Sequence, residues 1–255
     1  MKKYLQYANY FVAASGVMGA FLLKSLLRVG EDAKGLYPDA HPGWIGYLAL
    51  TIVTLAILWF ATRNPETDPT WQRNYPQNTP QRILFCAGYV LAAVGIGIYG
   101  KSILPNTLLN QVSYWGSFGC MAALLVLAAQ YGAGKAPLAP LHMVPCLYLM
   151  LQLMMLCKEN AAETEILRFL PQMLALAASV LASYQLWGFA ADCGDREKSL
   201  FWSLSATHLC LAAAAGGNLL FAGLALWHLL SHPLLVLPPV ENEEIPEAEE
   251  TEENL

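Results

Sequence analysis

Long stretches without a charged residue constrain this chain more than any other feature of its sequence. Residues 136–157, 169–191 and 199–240 contain no Asp, Glu, Lys or Arg. A helix needs ~20 apolar residues to cross a bilayer core ~30 Å thick. The chain of 255 residues is 56% hydrophobic and 13% charged, whereas a soluble domain has about twice that share of charge. These proportions exclude an ordinary soluble enzyme and a disordered chain, and they indicate an integral membrane protein.

The first half of the chain adds four further charge-free stretches, at residues 4–23, 44–60, 83–100 and 110–131. They run about twice the ~10 residues of a barrel strand and do not alternate apolar with polar residues. Because unsatisfied backbone groups are not tolerated in lipid, the stretches must be helices. We predict an all-α, polytopic transmembrane helix bundle with about seven spans and short loops. Six spans result if the polar first stretch lies in the interface, and eight if the last one divides.

The last charge-free stretch is too long for one ordinary span. Residues 199–232 as a single helix would reach ~50 Å at 1.5 Å per residue. Gly216, Gly217 and Asn218 lie near its middle. The helix therefore either tilts and projects beyond the bilayer or breaks at these residues. The glycines indicate close helix packing or, as in several transporters, a functional break that exposes backbone groups.

Small residues mark a predicted contact between the last two spans. Ala175, Ser179 and Ser183 recur at every fourth position, so they share one helix face. Such a seam lets a neighbouring backbone approach closely. Ala212 and Gly216 continue the pattern on the seventh span. We therefore expect these two spans to pack tightly, and bulky substitutions at Ser179 or Gly216 to destabilise the bundle.

Neutral polar residues in the spans are the other candidates for function. Gln172, Gln185 and Asn218 are expected to hydrogen-bond between helices, or else to line a polar pocket. His208 and Ser205 lie three residues apart on one helix face, which suits either a base with its nucleophile or an interhelical hydrogen bond. The candidate polar or packing site therefore comprises Gln172, Ser179, Gln185, His208, Gly216, Gly217 and Asn218.

No residue pattern predicts a catalytic, metal or cofactor site. The six cysteines include no CxxC pair, and no Cys or His spacing matches a zinc site. His228 and His232 could share one face where the last span leaves the membrane, and an interfacial role suffices for them. Four residues of the first loop could bind a metal, although a solvated polar turn is the simpler interpretation. They are Glu31, Asp32, Asp39 and His41.

The end of the chain differs in composition from the rest. Eight of the 19 acidic residues fall between Glu241 and Glu253, and the remaining chain has 11 acidic and 14 basic residues. A glutamate-rich segment without aromatic residues cannot bury a core. We divide the chain into a transmembrane helical domain at residues 1–237 and an acidic, disordered tail at residues 238–255. The tail either docks on a basic protein partner or only solubilises this end.

The distribution of basic residues favours one orientation by a small margin. With seven spans, the side that holds the N-terminus has eight Lys and Arg residues and the other side has six. The positive-inside rule then places the N-terminus inside and the acidic tail outside. We expect the chain in the cytoplasmic membrane of a bacterium, surrounded by the lipid bilayer. No nucleic-acid partner is expected, since the net charge is -5.

The spans contain no acidic residue away from their ends, which bears on function. Proton- or ion-coupled carriers place carboxylates at mid-membrane, and intramembrane hydrolases need acids or a nucleophile with its base. A non-catalytic accessory, sensing or assembly component is therefore the favoured hypothesis. The alternative is a small-solute permease or transport subunit, for which Pro145 and the glycine pair would bend or break helices. An intramembrane enzyme ranks third.

Overall fold

The structure, a computed structural model, describes residues 2–29, 41–63, 79–135, 137–160 and 166–231. Within these residues it has eight α-helices and no strand. In chain order, the helices are α1 (Lys2–Val29), α2 (Pro42–Thr62), α3 (Thr79–Ser102), α4 (Leu108–Gly132), α5 (Ala139–Glu159), α6 (Ile166–Ala190), α7 (Arg196–Ala213) and α8 (Leu219–Ser231). A short 3₁₀ turn at Ala214–Gly216 extends α7. Seven stretches are long and apolar enough to cross a bilayer, which confirms the predicted all-helical, multi-pass fold.

Consecutive helices run in opposite directions, which defines two faces of the bundle. The N-terminal face holds the start of α1 and the end of α2, and the opposite face holds the end of α1 and the start of α2. The odd-numbered helices therefore run from the N-terminal face to the opposite face. Contacts across the bundle agree with this arrangement, because Ser15 and Gly19 of α1 lie beside His208 and Ala212 of α7 in the same order.

Helix α7 lies at the centre of the bundle, where it packs against α1, α2, α6 and α8. Helices α1 and α2 also pack on each other, while α8 packs on α3, α3 on α4, α4 on α5 and α5 on α6. Small residues permit the closest approaches. A Cβ built on Gly16 of α1 would lie only 2.8 Å from the Leu211 Cβ of α7, so no larger residue fits there without a shift of the backbone.

The last charge-free stretch divides, as one of the two sequence interpretations expected. Together with the 3₁₀ turn, α7 covers 21 residues, or ~31 Å, and so reaches the opposite face. Gly217 then adopts a left-handed backbone with φ of 79°, which a residue without a Cβ tolerates. Asn218 caps the next helix, since its Oδ1 accepts a hydrogen bond from the Leu220 N–H at 3.0 Å. The break therefore lies near a membrane face and not at mid-membrane.

Helix α8 runs back across the bundle, antiparallel to α3. Its first residue, Leu219, lies beside Gly95, and Leu230 near its end lies beside Gly88. The 13 residues of α8 cover ~20 Å, which is less than a full crossing. The expectation that the acidic tail lies opposite the N-terminus assumed one undivided span, and that assumption is wrong. The tail predicted over residues 238–255 lies outside the described residues.

Three apolar clusters hold the described helices together, and the smallest joins Ala8 and Val12 of α1 to Leu58 of α2 and Leu204 of α7. The largest one lies among α3 to α8 and buries the rings of Tyr89, Tyr131 and Trp227. The second cluster joins α1 and α2 to the end of α7 around Trp44 and Tyr47, whose ring centroids are 5.8 Å apart. This second cluster adjoins the opposite face, because it is built from the end of α1 and the start of α2.

Candidate functional site

His208 joins three helices in a buried hydrogen-bonded junction. Its Nδ1 lies 3.0 Å from the Ser15 hydroxyl oxygen of α1, and its Nε2 lies 3.3 Å from the Thr51 hydroxyl oxygen of α2. All three side chains are buried. The helical period places Leu204, His208 and Leu211 on the side of α7 that meets α1 and α2. The His208 imidazole therefore lies where α7 meets both α1 and α2.

The Ser15 hydroxyl sets the direction of these hydrogen bonds. It lies 3.1 Å from the Val12 carbonyl oxygen, which can only accept. If Ser15 donates there, its oxygen accepts the proton carried by Nδ1, and Nε2 accepts from the Thr51 hydroxyl. One neutral tautomer of His208 thus satisfies every partner. The sequence paired this imidazole with Ser205 instead, but the buried Ser205 hydroxyl has no hydrogen-bond partner among the described residues.

The junction contains a serine and an imidazole but lacks the surroundings of a catalytic pair. A base that activates a nucleophile is itself oriented by a third group, most often a carboxylate. Here the Thr51 hydroxyl occupies that position and carries no charge. Ser15 is 5% exposed and His208 is 0% exposed, so a substrate has no access to the pair. The chemistry of this arrangement is to hold α1, α2 and α7 together.

The predicted close packing of the sixth and seventh spans is confirmed at Ser179. Its hydroxyl oxygen lies 3.2 Å from the Cys210 Sγ of α7, and the same sulfur lies 3.8 Å from the Ala175 carbonyl oxygen. Ser183 donates to the Ser179 carbonyl oxygen within its own helix, at 2.7 Å. Because thiols form weak hydrogen bonds, this seam stabilises the bundle mainly through packing.

Gly216 takes no part in that seam. A Cβ built on it would meet no atom within 4 Å, and the residue is exposed. The expectation of close packing at Gly216 is therefore wrong, because the chain is already leaving α7 to turn into α8. Ala212 also faces elsewhere, since it packs beside Gly19 of α1. The glycine pair serves a tight turn, at which Gly217 supplies the left-handed residue and Asn218 the cap.

A cavity of about 300 Å³ lies near the opposite face, where α7 ends between α1, α2 and α6. Two residues of the sequence-derived set, Gln172 and Gly216, line it. The other lining residues are apolar: Leu23, Leu26, Trp44, Phe169, Pro171, Ala212, Ala213 and Ala215. No described residue hydrogen-bonds the Gln172 side chain, so its amide is available to a bound molecule.

The remaining candidates do not join this cavity. Gln185 follows Gln172 by 13 residues on α6, which places it ~20 Å away along the helix, and it is half-buried. His208 lies deeper in the bundle, at the level of Thr51 in the middle of α2. Gly217 forms the turn. The structure thus divides the predicted set among the His208 junction, the α6–α7 seam at Ser179, the turn at Gly217 and Asn218, and the cavity, while Gln185 belongs to none of them.

A second buried polar group, which the sequence did not reveal, lies in the half of the bundle next to the N-terminal face. The Tyr131 hydroxyl lies 2.5 Å from the His142 Nε2 and so joins α4 to α5. Tyr89 of α3 packs beside both, with ring centroids 5.2 Å from Tyr131 and 6.2 Å from His142. Trp227 of α8 lies 5.4 Å from Tyr89. This aromatic group links four helices.

His228 differs from the other buried histidines. Its ring stacks on Trp227 at 4.8 Å and is fully buried, yet neither ring nitrogen has a hydrogen-bond partner among the described residues. The expectation of an interfacial role for His228 is wrong, because α8 turns back into the bundle. His232, which was expected to share its face, lies outside the described residues.

The position of His41 does not support the hypothesis that the loop between α1 and α2 binds a metal. This residue caps α2, and its Nδ1 accepts a hydrogen bond from the Gly43 N–H at 3.0 Å. Glu31, Asp32 and Asp39 lie outside the described residues. In the described part of the chain, no group of three or more His, Cys, Asp or Glu side chains is close enough to hold a metal ion, and all six cysteines are free thiols.

Seven apolar stretches of sufficient length identify the chain as a multi-pass membrane protein. Its distinctive features are the three-helix junction at His208, the hairpin at Gly217 and the cavity beside Gln172. None of these by itself defines a reaction. Comparisons with protein-family models, with curated proteins and with solved structures found no match to this chain.

Proposed function

We propose that the chain is a non-catalytic component of a membrane system, with an accessory, sensing or assembly role. The observation that supports this best is the use made of the polar side chains in the spans. His208 bonds to two helices, Tyr131 bonds to His142, and Gln152 of α5 donates to the Ser113 hydroxyl of α4 at 2.6 Å. Polar groups engaged in this way fix helix positions and do not face a substrate.

The placement of carboxylates supports the same proposal. Away from the first and last turns, no described helix carries an Asp or Glu. Coupled carriers hold such groups at mid-membrane to bind a proton or ion. Asp195 and Glu197 lie at the start of α7, where the Asp195 Oδ1 accepts a hydrogen bond from the Lys198 N–H at 3.1 Å. That carboxylate therefore caps a helix, as aspartate commonly does.

The acidic tail is the part of the chain that we expect to meet a protein partner. Eight glutamates within residues 241–253 make a dense negative charge that suits a basic surface. Charge complementarity of this kind raises association rates and selects partners, and salt screens it. The partner would then be a basic protein or a basic region of one.

Purification from native membranes tests this role. Three forms are compared in mild detergent: the full chain, a chain without residues 241–255, and a chain in which the eight glutamates are glutamine. The glutamine form keeps the length of the tail and removes only its charge. We expect a stoichiometric partner with the full chain alone, released at about 0.5 M salt. Recovery of the same partner with all three forms would disprove docking by the tail.

A small-solute permease is the second candidate, and the cavity beside Gln172 favours it. Transporter helices break at mid-membrane to expose backbone groups, whereas the break at Gly217 lies near a face. Flux of a solute into liposomes that contain only this chain would favour the permease over the accessory role. A matched pair of variants tests whether the solute passes through the cavity. Ala215→Leu fills the cavity and should reduce the flux, whereas Gln185→Leu changes α6 far from it and should not.

A further inference from the structure

The cavity at the end of α7 has the size of a small-ligand site. Its volume of about 300 Å³ corresponds to roughly ten non-hydrogen atoms at ~30 Å³ each. Four helices contribute to its wall, so its shape is fixed by the packing of the bundle. A scaffolding role requires no such space, so the cavity indicates a property beyond the proposed function.

The residues that line the cavity include Gln172, which carries an amide, and the last residues of α7 and its 3₁₀ turn. The 3₁₀ turn at Ala214–Gly216 ends α7 there, and the last carbonyl groups of a helix lack partners within the helix. These carbonyls carry the partial negative charge of the helix C-terminus. The Gln172 Oε1 adds a further acceptor. A bound molecule would therefore place a hydrogen-bond donor, and preferably a positive charge, at this end of the cavity.

Aromatic rings form two of the apolar walls. Trp44, the third residue of α2, is 5% exposed, and Phe169 lies in the first turn of α6. Indole and phenyl faces attract an ammonium group and also accommodate hydrocarbon. None of the described residues that line the cavity is a Lys or Arg.

We propose that the cavity between α1, α2, α6 and the end of α7 binds a primary ammonium group on an apolar body of about ten non-hydrogen atoms. The ammonium donates to the α7 carbonyls and the Gln172 Oε1, while Trp44 and Phe169 enclose the apolar part. Two sources can supply the ammonium: a free hydrophobic amine, which also fills the apolar part of the cavity, and the ethanolamine headgroup of a lipid, which supplies the ammonium and two methylenes.

Calorimetric titration of the full chain in phosphatidylcholine nanodiscs tests the proposal, with empty nanodiscs as the blank. The probe is 2-phenylethylammonium, and 2-phenylethanol is its uncharged counterpart. We expect saturable binding of the amine, at least about fivefold tighter than that of the alcohol, from ~1 kcal/mol of charge-dependent interaction. Ala215→Leu should weaken binding by about tenfold or more, and Gln172→Leu by about fivefold, as loss of one hydrogen bond predicts. Gln185→Leu should leave the affinity unchanged.

The same titration in nanodiscs that contain phosphatidylethanolamine distinguishes the two sources. Competition by this lipid identifies the headgroup as the occupant, and unchanged affinity identifies a free amine. Thermal unfolding of each variant shows that it remains folded. The proposal is overturned if the amine does not bind at millimolar concentration, if the alcohol binds equally well, or if a folded Ala215→Leu variant binds as tightly as the parent.

Discussion

Replacement of His208 by leucine tests whether the three-helix junction stabilises the bundle. The substitution removes the hydrogen bonds to Ser15 and Thr51 and leaves the apolar packing nearly unchanged in volume. Interhelical hydrogen bonds in membranes contribute ~0.6 kcal/mol on average and up to ~1.7 kcal/mol each. The Ser15 hydroxyl keeps its bond to the Val12 carbonyl, which limits the loss. We therefore expect His208→Leu to cost about 1–2 kcal/mol.

Thermal unfolding in a mild detergent, followed by circular dichroism, measures this loss. For a chain of this length, 1 kcal/mol lowers the Tm by roughly 2–4 °C. His228→Leu is the matched control, because it makes the same change at an equally buried imidazole that has no hydrogen-bond partner among the described residues. Its stability should stay the same or rise, since leucine removes two buried polar atoms that lack partners.

A double-mutant cycle assigns the energy to each pair. Ser15→Ala and Thr51→Val are combined with His208→Leu, and each coupling should be about 0.6 kcal/mol. The reasoning is refuted if both coupling energies are zero, or if His208→Leu is as stable as His228→Leu. In either case the imidazole would fill space at the junction and the hydrogen bonds would contribute nothing.

Three further predictions concern packing and capping. Ser179→Leu should destabilise the bundle by about 1–3 kcal/mol through overpacking, whereas Gly216→Leu should not, and thermal unfolding of both tests the difference. Gly95→Ala should cost about 1 kcal/mol or more, because a Cβ there would lie 2.9 Å from a backbone oxygen of α8. Asp195→Ala should cost about 1 kcal/mol, and Asp195→Asn much less. Partial burial raises the pKa of Asp195, but Lys198 outweighs this and lowers it. The contribution of this carboxylate should therefore be full above its unfolded pKa of ~3.9 and vanish as the pH falls through its lower folded pKa.

The positions of the spans could be predicted from the sequence because a charged side chain in the bilayer core costs free energy, so the spans lack such residues. Each long charge-free stretch before residue 192 became one helix. The division of the last charge-free stretch could also be predicted from the sequence, since glycine commonly ends a helix and asparagine commonly begins one. The sequence pattern wrongly predicts a packing seam at Gly216, because glycine serves both helix packing and helix ends, and only its neighbours in space distinguish the two.

Partners across the bundle could not be predicted in the same way. Helical periodicity identifies the buried side of a helix but not the helix that covers it. Ser15 lies 193 residues before His208 in the chain, and Ser205 is only a near neighbour in sequence. The sequence also places His228 at the interface, whereas it is buried, because the direction of α8 depends on the turn at Gly217. The cavity likewise arises from four helix ends, and no local pattern encodes their meeting.

The direction of α8 determines on which side of the membrane the acidic tail should lie. Leu230 lies beside Gly88, the tenth residue of α3, and is therefore ~14 Å from the N-terminal end of that helix. Residues 232–240 contain no charged side chain and can reach up to ~30 Å. They are long enough to complete the crossing. The chain would then deliver Glu241 to the face on which it began.

Labelling with a membrane-impermeant maleimide should consequently reach cysteines at positions 3 and 253 from the same side, in a form whose native cysteines are serine or alanine. A cysteine at Lys101, exposed at the far end of α3, should be labelled from the other side. If positions 253 and 101 share a side instead, the chain turns back after α8, and the tail faces away from the N-terminus.

A position of the acidic tail on the same side as the N-terminus has a further physical consequence. The glutamates would then face the same compartment as the more basic set of loops, so a basic partner would have to displace those loops, and its affinity should rise when Arg63 or Lys135 is neutralised.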